Sequence, residues 1–218
     1  MNARERFRRQ MRFQRADRPI RWESWGFWGQ TVARWRKEGL PEGVHPQEYF
    51  GLDPRLYIEV NSGGTNLPYD PPYERIELER TANHVVYRNA QGIIMRERAD
   101  HPELSMPQWI SFPVETRADF EKIRDERLDP DKPSRYPDWA AMHRKYDDRS
   151  YPLGLWICGA YGTPRNLFGE ERLALVYFDD PDFIHEIMKW WVYFYKRIVT
   201  NVTEHFSGID YIFLWEDM

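Results

Sequence analysis

The chain has 218 residues, of which 30% are charged and 16% aromatic, with ten Trp and a formal net charge of -4. That composition excludes a disordered chain, which would be poor in aromatics, and argues against nucleic acid as the main partner. No apolar run approaches the ~18 residues of a bilayer span, no signal-peptide core follows Met1, and the one cysteine, Cys158, excludes an internal disulfide framework and fits a reducing cytoplasm.

The first 21 residues depart from the overall acidic balance, with Arg4, Arg6, Arg8, Arg9, Arg12, Arg15, Arg18 and Arg21 against Glu5 and Asp17. Asn2 and Glu5 mark a helix start, and Phe7 and Met11 share a face, so the segment reads as an amphipathic helix with a solvated arginine face. A phosphate-binding arm is the alternative. Asp17-Arg18-Pro19 opens a short extended run from Ile20 to Trp25. A helix follows at about Thr31 to Glu38 and stops at Gly39 and Pro41. Leu56 to Val60 reads as a second strand, ending in the turn-forming Asn61-Ser62-Gly63-Gly64.

Residues 74–80, 84–88 and 93–97 alternate in the manner of strands, and Asn89-Ala90-Gln91-Gly92 joins the last two. The pattern predicts an antiparallel meander over 74–97, inserted in a larger domain. Thr116 caps a helix from Arg117 to Arg127, and a shorter one runs near Asp138 to Lys145. Leu153 to Cys158 is an apolar strand, followed by the loop Gly159 to Pro164 and a helix at about Glu170 to Phe178. Asp180 then caps the longest helix, with Pro181 in its first turn and a 3.6-residue apolar period running up to Gly208. A strand from Ile209 to Trp215 follows at once, so residues 153–215 predict a parallel crossover unit.

Several residues could carry chemistry. Glu216 and Asp217 follow the last strand, where paired acids serve as general acid and base, bind a cation or orient a polar substrate. A solvated strand end or a salt bridge is the structural alternative. Adjacent strand residues point to opposite sides, so at most one of the two acids faces a shared site. The glycines of the 159–165 loop let backbone amides approach a ligand, and Tyr161 and Arg165 suit a carboxylate or phosphate. Trp22, Glu23 and Trp25, with Phe27 and Trp28, form either an aromatic wall for a flat or methylated ligand or ordinary core. Cys158 reads as a buried small hydrophobe. The six histidines show no metal-ligand spacing.

Several segments, in order, resemble the uroporphyrinogen decarboxylase superfamily. Arg4-Glu5-Arg6-Phe7 with Asp17-Arg18-Pro19-Ile20 is similar to its opening helix and "DRxP" turn. Gly159-Ala160-Tyr161-Gly162-Thr163-Pro164-Arg165-Asn166-Leu167 looks like its "GFxGxPxTL" loop. Asp180-Pro181, Gly208-Ile209-Asp210-Tyr211-Ile212 and Trp215-Glu216-Asp217 resemble its long helix and following strand. The resemblance implies a (β/α)8 barrel, present as an incomplete one of about four parallel strands near 19–25, 56–60, 153–158 and 209–215. Residues 1–218 would then be the N-terminal portion of a longer barrel enzyme, with the rest beyond Met218.

The departures from the family bear on substrate. Its decarboxylases carry an arginine-bearing "RQAGRY" segment that grips substrate carboxylates, where this chain has Glu23-Ser24-Trp25-Gly26-Phe27-Trp28. The family's catalytic tyrosine falls on Glu170 and its serine near Asp217. The resemblance therefore implies the branch of cobamide-dependent methyltransferases acting on a small methylated substrate, with a corrinoid protein as partner. Zinc ligands of that branch would lie beyond Met218, with no metal bound by these residues. Decarboxylation in porphyrin biosynthesis is the alternative, and a non-catalytic Trp-rich binding module or an inactive fragment the second. On the leading reading Glu216 and Asp217 are catalytic, while Trp22, Glu23, Trp25, Tyr161 and Arg165 bind substrate, all around one concavity.

Overall fold

In the computed structural model, which describes residues 1–100 and 106–216, α1 (Ala3–Met11), α2 (Gly29–Lys37) and α3 (Pro46–Tyr49) precede β1 (Leu56–Tyr57). Four strands follow: β2 (Ile76–Arg80), β3 (His84–Arg88), β4 (Ile94–Arg98) and β5 (Gln108–Ser111). After them come α4 (Arg117–Arg127), α5 (Trp139–Tyr146), β6 (Leu153–Cys158), α6 (Gly162–Phe168), α7 (Glu170–Asp179), α8 (Pro181–His205) and β7 (Tyr211–Trp215).

The strands form two separate sheets. In the first, β6 lies between β1 and β7 and pairs in parallel with both, Leu56 opposite Leu153 and Leu155 opposite Ile212. The crossover over 153–215 is thus parallel, as the alternation of apolar strand and capped helix predicts. The second sheet is the antiparallel meander β2-β3-β4-β5, one strand longer than expected and reaching Ser111.

The expected (β/α)8 architecture is overturned. No parallel barrel arrangement is present among the described residues: the parallel sheet has three strands, not four, and the meander is a sheet of its own. The missing strand is the 19–25 segment, and its hydrogen bonds explain why. The Arg21 N–H donates to the Asp53 carboxylate at 2.9 Å, and the Asp53 N–H returns a bond to the Arg21 carbonyl at 2.8 Å. Glu23 accepts from the Trp25 N–H at 2.9 Å, and Gly26 turns away at φ 79°. Side chains and turns satisfy the groups a ladder would need, so the run stays irregular. The 56–60 strand likewise shortens to two paired residues.

The core lies on the helical side of the parallel sheet. Leu155 and Ile157 of β6 pack in one cluster with Ile184, Ile187, Phe194, Ile198 and Val202 of α8, and Phe120 and Ile123 of α4. The apolar period of α8 creates that face, and Asp180, accepting from the Phe183 N–H at 3.0 Å, starts the helix. The meander has a second, small cluster of Val85, Tyr87, Ile93 and Met95.

The expectation of a solvated arginine face on α1 fails in part. Arg6 is buried and donates to Asp17 and Asp53, and Arg18 joins it on Asp53. Arg4 and Arg8 both reach Asp210, whose side chain is fully buried and also accepts from Arg149 and the Leu153 N–H. Two aspartates, 53 before β1 and 210 before β7, therefore tie α1 beneath the parallel sheet.

Candidate functional site

The carboxyl ends of β6 and β7 meet the loop that leads into α6. The Gly159 N–H donates to the Trp215 carbonyl at 2.9 Å, extending the ladder by one bond. Beyond it, the Glu216 carboxylate accepts from the backbone N–H groups of Tyr161 at 3.0 Å and Gly162 at 3.1 Å. Those amides begin α6, and a carboxylate there satisfies donors that have no partner within the helix. A Cβ at Gly159 would overlap the Glu216 carboxyl, so glycine is required for this close approach. The loop amides expected to receive a ligand receive the chain's own Glu216.

Around this junction four of the expected residues come together. Arg165 lies over the Trp215 ring, its Cζ 4.5 Å from the centroid, and Trp25 meets the same ring edge-on at 6.3 Å. Trp215 is buried, whereas Trp25 is 70% exposed. The Tyr161 hydroxyl donates to Glu170 at 2.5 Å, and that bond, with burial, pushes the phenol's pKa up. Tyr177 of α7 also has a raised pKa, first from burial and then from the nearby charge of Glu216. Trp25, Tyr161, Arg165 and Glu216 thus surround Trp215, with Glu170 and Tyr177 joining from α7.

Two expected residues lie elsewhere. Trp22 stacks on Phe7 at 5.2 Å and contacts Tyr211 at 5.7 Å. Tyr211 opens β7 and Trp215 closes it, so Trp22 and Trp25 sit near opposite ends of that strand, about 13 Å apart at ~3.3 Å per residue. Glu23 lines a different depression of about 340 Å³ with Phe27, Arg36 and His45. A single concavity holding all the expected residues is not formed. Asp217 lies outside the described residues.

Cys158 is fully buried, and burial pushes its thiol pKa up to about 11, which suits an unreactive core residue. Among the described residues no group of three His, Cys, Asp or Glu is placed to share a metal ion, and no helix is long and apolar enough to cross a membrane.

Sequence reasoning missed Tyr177, Trp215 as the ring that gathers the site, and Arg55. The signal for Arg55 was its i, i+2 spacing with Tyr57 of β1, which puts the pair on one face of an extended segment. No family model, curated protein or solved structure matches the chain.

Proposed function

We propose that the strand-end cluster is the substrate wall of a uroporphyrinogen decarboxylase-superfamily enzyme. Its reaction is corrinoid-linked methyl transfer on a small methylated substrate, with a corrinoid protein as methyl carrier. The observation that carries this reading is the bonding of Glu216 to Tyr161 and Gly162, 55 and 54 residues away. Two of the segments that resemble the family, the glycine loop and the Trp215-Glu216 strand end, are thereby one structural unit.

Each residue has a physical role on this reading. Glu216 is a positioning residue, because both its oxygens are engaged by backbone amides. Tyr161 and Glu170 share a short hydrogen bond and can hold or pass a proton. Exposed Trp25 offers an apolar ring to a methyl group. Arg165 brings a single guanidinium to the cluster, a poor match for a substrate with eight carboxylates, which needs several. That charge balance favours methyl transfer over porphyrinogen decarboxylation.

The test supplies the protein, carried in its reading frame past Met218, with cob(I)alamin and a panel of methylated amines, thiols and ethers, reading methylcobalamin by its absorbance. A parallel reaction measures carbon dioxide released from uroporphyrinogen. The expected result is methylcobalamin with at least one methyl donor and no carbon dioxide, with a tenfold or greater loss in Arg165→Gln. Carbon dioxide release, or no methylcobalamin with any donor, overturns the reading.

A further inference from the structure

The side of the parallel sheet facing away from the core is almost entirely aromatic. The register places Tyr57 opposite Gly154, Gly154 opposite Tyr211, and Trp156 opposite Phe213, so all of them share one face. Tyr57 contacts Trp156 at 4.9 Å, Tyr211 at 6.0 Å and Phe213 at 6.3 Å, and Trp22 extends the surface from Tyr211. Gly154 makes room for this arrangement, because a Cβ there would overlap the Tyr211 ring. These rings are half-buried, not sealed into the core.

One cation lies among them. The Arg55 Cζ is 4.7 Å from the Trp22 centroid and 5.6 Å from those of Tyr57 and Phe213. Its guanidinium donates to the Ser24 hydroxyl at 3.1 Å and lies against the Tyr211 hydroxyl, and among the described residues it has no carboxylate partner. Arg4, Arg6, Arg18 and Arg149 are all paired with aspartates, and Arg135 is wrapped in backbone carbonyls. A guanidinium presents five N–H donors, so Arg55 has donors to spare.

The other polar groups of this face point to the same chemistry. The indole N–H groups of Trp22 and Trp156 are buried without any protein hydrogen-bond partner. An indole N–H can only donate, and a buried donor left unpaired destabilises the fold. The face is therefore rich in donors and positive charge, poor in acceptors, and walled by flat rings. We infer that this aromatic face, with Arg55 as its anchor, binds a small oxyanion carried on a flat apolar body. A carboxylate on an aromatic ring is the simplest such ligand: the anion meets the guanidinium fork while the ring stacks on the tryptophans and tyrosines. The inference does not rest on methyl transfer, since it uses neither Arg165 nor the Tyr161–Glu170 pair.

Calorimetric titration of the chain with 2-naphthoate, 2-naphthamide and 2-naphthylmethylamine separates charge from stacking on one ring system. Naphthoate should bind at least tenfold more tightly than the amide, and the amine should bind more weakly than either. Arg55→Gln should lower naphthoate affinity at least tenfold, Arg55→Lys should lower it less, and Arg165→Gln should leave it unchanged. Equal binding of carboxylate and amine overturns the site, as does full affinity in Arg55→Gln or a loss confined to Arg165→Gln. Should Arg55→Gln fail to fold, the ranking of the three probes on the native chain and the affinity of Arg55→Lys decide between the same outcomes.

Discussion

The parallel sheet and the meander are both built from short strands, yet they are stabilised in different ways. The parallel sheet buries one face under α8 and α4 and clamps its lower edge with ion pairs to α1. The meander buries Val85, Tyr87, Ile93 and Met95, while every residue of β2 is exposed. Its strands are held by antiparallel ladders and by exposed pairs such as Arg80–Glu77 and Arg98–Asp100, and exposed pairs stabilise little. Sheet pairing alone gives local order; packing against helices makes the parallel half the cooperative unit.

The largest effect should come from the centre of that unit. Phe194 of α8 is fully buried, in ring contact with Trp190 and Tyr195 and beneath the Arg135 guanidinium. Phe194→Ala should cost about 3–5 kcal/mol, the range for truncating a buried aromatic. Denaturant unfolding checks it, and a loss below about 1 kcal/mol would show that α8 is not central.

Asp210→Asn comes next, at about 3 kcal/mol, because it leaves Arg149, buried alongside it, without its counter-charge. The same aspartate gives the parallel half its response to acid. Burial by itself would raise its pKa, but the Leu153 N–H, Arg149 and Arg4 outweigh that and hold it below the usual carboxylate range. Asp53 is likewise depressed: burial opposes it, and Arg18, the Arg21 N–H and Arg6 prevail. A depressed folded-state pKa contributes stability above the unfolded value, near 4, that is lost as pH falls through the folded value. Hydrogen exchange between pH 5 and pH 2.5 should show the α1 contacts loosening with acid, and Asp210→Asn should flatten that dependence.

In the meander, Met95→Ala should cost about 2 kcal/mol, the lower end for a buried Met. Its effect should be local: faster amide exchange in β3 and β4, with α8 protected as before. Equal loss of protection in α8 would merge the two regions into one cooperative unit.

Strong local signals were legible in the sequence. The cap and apolar period of α8, the Thr116 cap of α4 and the apolar run of β6 each specify their element without help from afar. The strand β5 was not legible, because Trp109 and Ile110 are consecutive and both exposed, which breaks the alternation. Helix α6 was hidden by Gly162-Thr163-Pro164, which reads as a turn, although proline is tolerated in a first helical turn. The pairing of Arg4 with Asp210 spans 206 residues, and no local pattern announces it. The barrel expectation came from resemblance rather than from these signals, and it required a strand at 19–25 whose hydrogen bonds go to Asp53 and Glu23 instead. Of the site, the loop and strand end were readable as glycine and acid positions. Trp22 and Glu23 were assigned by nearness in sequence to Trp25, and an irregular segment carries the three to different places.

The smallest expected effect tests how the strand ends are joined. Glu216 accepts from two amides at the start of α6, and its carboxylate stands where the helix end is electropositive. Glu216→Gln keeps one acceptor oxygen and replaces the other with an amide donor facing an N–H, so one bond is lost along with the charge. The cost should be about 1 kcal/mol, similar to removing a helix cap, and it should appear as faster exchange of the Tyr161 and Gly162 amides while β3 and β4 are unaffected. Glu216→Ala should loosen the same amides further, since it removes both acceptors without placing a donor in their way. If Glu216 instead acts by moving a proton, Glu216→Gln should abolish the proposed methyl transfer with exchange at those two amides unchanged, and the positioning role proposed for it would be wrong. Loosened amides with partial activity, by contrast, mark the carboxylate as the tie that holds the glycine loop against β7.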